Sequence, residues 1–240
     1  CQGFSRMRTR NGGRTVADER NDLVLEFTRL CDELAPKTIL FENVPGLAQD
    51  ALFTQMKHRL SEKGYSLKPR VLNLAGYGIP QRRKRLFLVG SRLGSPSFPE
   101  TKGPIVDVRK AIGSLPRPEN NSDPLHRSIT VHSAIVSERI KQIPKDGGSR
   151  MDLGFEAQLE CHKKIDGFRD VYGRMHWDEP APTITRYSIN PSKGRYLHPE
   201  QDRAISLREA SLLQTFPPDY LFPFDEFGRG AIASMIGEAI

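Results

Sequence analysis

The sequence predicts an α/β fold joined to a loop-rich second lobe, and three observations carry that prediction. Short apolar runs alternate with amphipathic stretches of helical period over residues 21–90. Composition then shifts: Pro, Gly, Ser and Asn are frequent over 91–172 and periodicity is weak. Helical signals return in the last third, around Ser206 and Gly230.

Residues 2–20 are polar, Gly- and Arg-rich and aperiodic, as a loop would be. From Asn21 to Leu34, Leu23, Val24, Phe27, Leu30, Cys31 and Leu34 recur at helical spacing, and Pro36 ends that helix. Thr38-Ile39-Leu40-Phe41 is a short apolar run, read as a buried strand whose end delivers Glu42 and Asn43. Pro45 and Gly46 break the chain, and Leu52, Phe53, Met56 and Leu60 mark a second helix ending near Gly64. Tyr65 to Leu74 and Arg85 to Gly90 read as two further strands, separated by a turn-rich stretch up to Pro80. This strand–helix–strand order predicts a parallel-type sheet. The segment from Pro180 to Thr185 reads as extended. Ser206-Leu207-Arg208-Glu209 has the form of a capping box that opens a helix, and a last helix is expected to start near Gly230.

Charge points to a polyanionic partner. Lys plus Arg number 36 against 29 Asp plus Glu, a net +7 with a pI near 9.4, and cations that neutralise phosphates release condensed counterions. Five arginines fall within residues 1–20, and Arg82-Arg83-Lys84-Arg85 form a second cluster. Cys1, Cys31 and Cys161 are widely separated and form no CxxC pair, which argues against a disulfide scaffold or a zinc site and makes a reducing cytoplasm the expected setting. Cys161-His162 has no second ligand pair at metal spacing, so no metal is expected. No apolar run approaches the roughly 18 residues of a membrane span. Both chain ends read as cut, since no initiator Met is present and Gly237 to Ile240 lie in a helical stretch.

Three segments carry candidate chemistry. Cys1-Gln2-Gly3-Phe4-Ser5 places a thiol before an arginine-rich loop, surroundings that favour a thiolate. The alternatives are a buried structural cysteine, or an amino-terminal nucleophile with the α-amine as base. Phe41-Glu42-Asn43-Val44 sits at a strand's carboxyl end, where open α/β sheets gather functional groups, and a partly desolvated Glu42 is a candidate acid; the alternative is a capping or salt-bridged Glu. Gln81 through Arg85 lead into a strand, and alternation aims Gln81, Arg83 and Arg85 to one side, a geometry suited to phosphate and base contacts.

In order along the chain, these segments resemble the DNA (cytosine-5)-methyltransferase family. Cys1-Gln2-Gly3-Phe4-Ser5 looks like the Pro-Cys-Gln motif, Glu42-Asn43-Val44 like Glu-Asn-Val, and Gln81-Arg82-Arg83-Lys84-Arg85 like Gln-x-Arg-x-Arg. Gly173-Arg174 through Pro182-Thr183-Ile184-Thr185, with Leu207-Arg208-Glu209-Ala210 and Leu213 to Pro217, resembles the penultimate motif; Met235 to Ile240 resembles the last. The resemblance implies a partial Rossmann-like methyltransferase domain with an incomplete sheet over 1–90, a target-recognition domain over 91–172, and a return segment over 173–240. It implies methyl transfer from S-adenosylmethionine to carbon-5 of a cytosine flipped out of double-stranded DNA. Cys1 is then the nucleophile at carbon-6, Glu42 the group that holds and protonates the ring, and Arg85 the group that orients it. Gln81, Arg83, Ser5, Arg8, Arg174 and Thr183 are expected at the DNA, and Asn43, Gly237, Glu238 and Ala239 at the cofactor. Lys145, Arg150, Lys163, Lys164 and Arg169 are further candidates for DNA contact, whereas His126, His132 and His176 are expected at the surface or in turns and Trp177 in packing.

Two departures qualify that picture. The glycine-rich strand-to-helix motif Phe-x-Gly-x-Gly is absent, and Glu238 stands where the family usually has Asn. The isolated polypeptide is therefore expected to be inactive and to bind S-adenosylmethionine weakly. An open sheet edge is expected to favour self-association or a complementary amino-terminal subunit. A restriction–modification or phage setting fits a compact recognition lobe with no chromatin-type module attached. The rival readings are a non-catalytic DNA-binding remnant, an RNA-directed relative and an amino-terminal-nucleophile hydrolase.

Overall fold

The computed structural model describes residues 22–100, 103–154, 158 and 169–239. The chain divides into two compact units, one built from residues 1–74 and 84–101, the other from 75–83 and 102–240.

In the first unit, helix α1 (Leu23–Leu34) leads into strand β1 (Thr38–Asn43), helix α2 (Ala51–Glu62), strand β2 (Ser66–Asn73) and strand β4 (Lys84–Ser91). All five lie where the spacing predicts them, within two residues. Helix α1 ends at Ala35, in a left-handed conformation ahead of Pro36. Asp50 caps α2 by accepting from the Leu52 amide at 2.9 Å. The sheet order is β1-β4-β2, with β4 antiparallel to both neighbours. β1 and β2 thus run the same way across the α2 crossover, as predicted, but the third strand enters between them in the opposite sense. The expectation of a parallel-type sheet is corrected there. The link from Asn73 to Lys84 is too short for the helical crossover that a parallel strand requires.

Period-two alternation then sorts the side chains. Ile39, Phe41, Leu86 and Leu88 turn to one face and pack with Val24, Cys31, Phe53, Met56 and Leu60 of the two helices. Glu42, Arg85 and Phe87 share the other face, where Leu40 is 67% exposed. β2 is an edge strand that carries Lys68, Pro69 and Arg70 exposed.

In the second unit, strand β3 (Gln81–Arg82) pairs in parallel with strand β5 (Ala181–Pro182). Helices α3 (Val108–Ile112), α4 (Pro124–Arg127), α6 (Leu207–Leu213) and α7 (Phe224–Glu238) surround a core that includes Ile112, Ile184, Leu207, Leu213 and Ile236, whereas α5 (Ala134–Gln142) packs on a second core. The capping box holds: Ser206 Oγ accepts from the Glu209 amide at 3.1 Å, and Glu209 Oε2 accepts from the Ser206 amide at 2.7 Å. Helix α7 has two parts, and the second starts beside Gly230, as expected. The helix begins at Phe224 and breaks at Gly228, whose φ of 67° lies in the left-handed region. At its far end Gly237 is pressed against backbone, where a β-carbon would stand 2.0 Å from the Arg186 nitrogen. A second core joins Ile140, Ile143, Leu153, Val171, Tyr172 and Leu197, so the boundary expected at residues 172–173 falls inside this unit. Trp177 packs against the first core, as expected.

Buried charge organises this unit. Arg174 has no exposed surface; it donates to the carbonyls of Ile143 (3.1 Å), His198 (3.1 Å), Gln201 (2.7 Å) and Ile140 (2.8 Å), and to Asp202 Oδ1 (2.5 Å). Arg203 makes a two-pronged contact with Glu209, both at 2.7 Å. Burial pushes the Glu209 carboxyl up, and the Arg203 contact outweighs it to leave a net lowering. His126, expected at the surface, is instead fully buried between Ser206 Oγ and the Pro116 carbonyl, both at 2.8 Å. His198 accepts the Glu200 and Gln201 amides at Nδ1, and burial lowers it to about 4.

Two outcomes follow. Arg174→Met removes one donor from each of four carbonyls and a carboxylate, and is expected to cost about 3–5 kcal/mol in denaturant unfolding. Folded His198 stays neutral down to about pH 4, whereas the unfolded chain takes up the proton near its ordinary value of 6.5. The stabilisation is therefore complete above pH 6.5 and is lost as pH falls towards 4, with a size of about 3 kcal/mol. Unfolding free energies measured across that range are expected to slope downward in the wild type and to flatten in His198→Gln.

Candidate active site

The residues with the strongest chemical character in the first unit meet where β1 ends and β4 begins. In the β1–β4 register Glu42 faces Phe87, which sets Arg85 on the diagonal of the same face. Arg85 Nε lies 2.8 Å from Glu42 Oε1, and the two side chains are 16% and 11% exposed. Arg85 Nη1 also donates to the Lys84 carbonyl at 2.8 Å, which ties the guanidinium to its own strand. Burial lowers the Arg85 guanidinium below its ordinary value, and Glu42 works against that by favouring the charged form. Glu42, expected as a candidate acid with a salt-bridged Glu as the alternative, is met here in contact with Arg85.

Asn43 is on the helix-covered face, 6% exposed, and its Oδ1 accepts from the Val44 amide at 2.8 Å. The chain then enters a 3-10 turn at Pro45 anchored by buried Leu47. This turn fixes the strand end, and with it the direction of Glu42. Cys1, Ser5 and Arg8 lie outside the described residues, as do Lys163, Lys164 and the Cys161-His162 pair.

Several residues expected at the DNA are committed elsewhere. Gln81 is 1% exposed: it donates to the Leu213 carbonyl at 3.0 Å and to Gln214 Oε1 at 2.5 Å, and accepts from the Ile184 amide at 3.1 Å. Arg83, 4% exposed, donates to the carbonyls of Ile184 (3.2 Å) and Ala239 (3.3 Å). Arg174 is the buried hub already described, and Arg150 is 2% exposed. These four are corrected to internal roles, because their donors are turned inward and a groove-reading side chain must reach solvent. The shared side expected for Gln81, Arg83 and Arg85 fails for the same reason. The first two belong to the second unit with β3, and Arg85 to the first. Thr183 keeps partial exposure and donates to the Arg82 carbonyl at 2.8 Å. Lys145 pairs with Asp202, and Arg169 is exposed.

Of the residues expected at the cofactor, Asn43 ends β1 in the first unit, whereas Gly237, Glu238 and Ala239 close a helix end onto the second. Gly237 abuts the Thr185–Arg186 backbone, the Ala239 carbonyl accepts from Arg83 and Gln214, and Glu238 faces Arg186 at 3.6 Å. These contacts leave no cradle for a nucleoside, so the described residues do not by themselves fit S-adenosylmethionine. Among the described residues no group of His, Cys, Asp and Glu is arranged to hold a metal ion, and no helix is long and apolar enough to cross a membrane. Two cations not singled out from the sequence, Arg186 and Arg229, line a cleft in the second unit. The available signal was the position of Arg186, directly after Thr183-Ile184-Thr185.

Comparison with known proteins agrees with the motif order. The chain is 38% identical to the type II methylase M.HgiDII of Herpetosiphon aurantiacus, covering all of this chain and 70% of that protein. It is 30% identical to the type II methyltransferase M1.BsuMI of Bacillus subtilis, again over its whole length but only 56% of the relative. Among solved structures, a prophage-encoded protein of E. coli described as a DNA modification methyltransferase superposes with a TM-score of 0.62 at 23% identity, over 100% of this chain and 75% of that one. The S. pombe Dnmt2 methyltransferase gives 0.58 at 15% identity, over 92% and 68%. At those identities the likeness shows the fold, a Rossmann-like methyltransferase arrangement. The model of the C-5 cytosine-specific DNA methylase family matches residues 1–240, and the chain belongs to that family.

Proposed function

We propose that this chain supplies the base-activating part of a DNA (cytosine-5)-methyltransferase of restriction–modification type, acting on a cytosine flipped out of the duplex. The Glu42–Arg85 pair, held on one sheet face at 2.8 Å, carries the proposal. A flipped pyrimidine donates from its exocyclic amine to a carboxyl oxygen, accepts a carboxyl proton at ring nitrogen 3, and offers a carbonyl oxygen to a guanidinium. The pair presents both groups side by side, with little solvent to compete for them.

Cys1 is assigned the attack. Its thiolate adds to carbon-6, and the electron pair displaced from the ring double bond makes carbon-5 nucleophilic. A proton delivered through Glu42 to nitrogen 3 neutralises the charge that would otherwise build on the ring. Arg85 then no longer shares Glu42 with solvent alone but holds the base's oxygen, which fixes the ring against the sheet end. After carbon-5 has gained its methyl group, its remaining proton passes to water, the Cys1 sulfur leaves carbon-6 as a thiolate, and nitrogen 3 returns its proton to Glu42, which restores the neutral aromatic ring. The methyl donor that the family implies is S-adenosylmethionine. Because the described residues build no cradle for it, the role assigned here is confined to activating the base. Ser5 and Arg8 are assigned to the loop over the flipped base, Thr183 to the DNA side, and Asn43 to the floor that orients Glu42. Exposed Leu23, Leu30 and Leu34 on α1 and Leu40 on β1 support self-association or a complementary amino-terminal segment.

The test is co-expression with a glycine-rich amino-terminal half, followed by trapping on duplexes containing 5-fluorocytosine. A covalent adduct is expected in the wild type and none in Cys1→Ser. An adduct that survives that substitution removes Cys1 from the mechanism, and duplex binding without any adduct favours a non-catalytic DNA-binding protein. Glu42→Gln is expected to lower turnover by about 10²–10⁴-fold while leaving duplex affinity within a small factor. The isolated chain is expected to show no submillimolar binding of S-adenosylmethionine by calorimetry; tighter binding would show that a cofactor cradle forms without the glycine-rich motif.

A further inference from the structure

The second unit contains a cleft of about 630 Å³ whose lining includes Thr130, His132, Arg186, Tyr187, Arg229 and Ser234. Among the described residues no carboxylate lines it. Arg229 comes from the helical segment that restarts after the Gly228 break, and its guanidinium donates to the Ile129 carbonyl and, at 2.8 Å, to Thr130 Oγ1. Among the described residues it has no carboxylate partner, and burial lowers its affinity for the proton. A half-buried cation balanced only by neutral oxygens is a costly arrangement, and an anion nearby relieves it. His132 adds a second unmet demand. Its Nε2 is shut off from solvent and has no hydrogen-bond partner among the described residues. Buried polar atoms without partners are rare enough to call for a ligand or a role.

Arg186 and Tyr187 form the rim. The guanidinium of Arg186 lies 4.9 Å from the centre of the Tyr187 ring, and each side chain is close to half exposed. Arg186 is also 3.6 Å from Glu238, a long contact between two exposed side chains that contributes little. The small residues Gly230, Ala233 and Ser234 leave the helix side of the cleft open.

We propose that this cleft is a binding site for a phosphodiester group of the DNA backbone, separate from the Glu42–Arg85 site. The assignment of the phosphate's source to DNA rests on the function proposed above; the anion chemistry rests on the cleft alone. Arg186 is the mobile contact that closes on the phosphate, Arg229 supplies fixed positive charge behind it, and His132 offers a ring nitrogen as a further donor. Glu238 competes with the phosphate for Arg186.

The test uses the full chain without cofactor. Binding of a duplex of arbitrary sequence is followed by fluorescence anisotropy over a range of salt, and binding of inorganic phosphate by the shifts of the His132 and Tyr187 NMR signals. Arg229 is left intact because it holds the Ile129–Thr130 backbone. Arg186→Gln is expected to weaken duplex binding roughly five- to tenfold at low salt and to reduce the salt slope by about 1. His132→Phe is expected to weaken it less, and Glu238→Gln to tighten it. Phosphate is expected to shift both NMR signals in the wild type, with smaller shifts in Arg186→Gln.

Unchanged affinity and salt slope in Arg186→Gln overturn the proposal, whatever the other variants do. Phosphate shifts that persist while duplex binding ignores all three substitutions overturn the DNA assignment and identify a site for free phosphate. Failure of the 5-fluorocytosine trap leaves these measurements unaffected, so the two readings fall separately.

Discussion

The register between β1 and β4 is the constraint on which the candidate site depends. With Glu42 opposite Phe87, the carboxylate and the Arg85 guanidinium share one face, while Phe41, Leu86 and Leu88 fill the core beneath the other. A slip of one residue would send Arg85 into the helices and bring Leu86 out beside Glu42. The apolar side of the sheet therefore enforces the polar pairing on its opposite side. Hydrophobic burial sets the geometry, and electrostatics makes use of it. The Asn43–Pro45 turn adds the last restraint by ending β1 where the carboxylate is needed.

The second unit uses its basic residues differently. Arg83, Arg174, Arg195 and Arg203 spend their donors largely on main-chain carbonyls or buried carboxylates, tying together loops that have few strand or helix hydrogen bonds of their own. A planar guanidinium suits that work, because one side chain can satisfy several carbonyls arriving from different directions. The formal +7 of the sequence thus overstates the charge available to a partner. Cations that remain at accessible surfaces, such as Arg186, matter more than the total.

Elements with clean periodicity were legible from sequence. Both helices of the first unit, its three strands and the Ser206 cap fall within a few residues of expectation, because each has a single apolar face or a local capping interaction that needs no distant partner. Strand direction was not legible, since β4 reads as a strand equally well in either sense. Gln81 and Arg83 were misplaced because alternation was extended through a point where the chain passes from one unit to the other. Arg174 could not be read from its neighbours: its acceptors lie 24 to 34 residues away in sequence, and nothing local distinguishes a buried guanidinium from an exposed one. Glu42 and Arg85 were singled out by motif order; their contact and the depth of their burial came only from the packing around them.

The exposed Lys68-Pro69-Arg70 stretch on β2 has a consequence for assembly. Proline removes an amide from the ladder, and the flanking cations repel a second copy of themselves, so this border of the sheet is closed to further pairing. Among the described residues the other border is β1, where Thr38 and Leu40 are exposed and carry no such guard. The sheet is in that sense one-ended: a strand added to it would lie beside β1, the strand that carries Glu42.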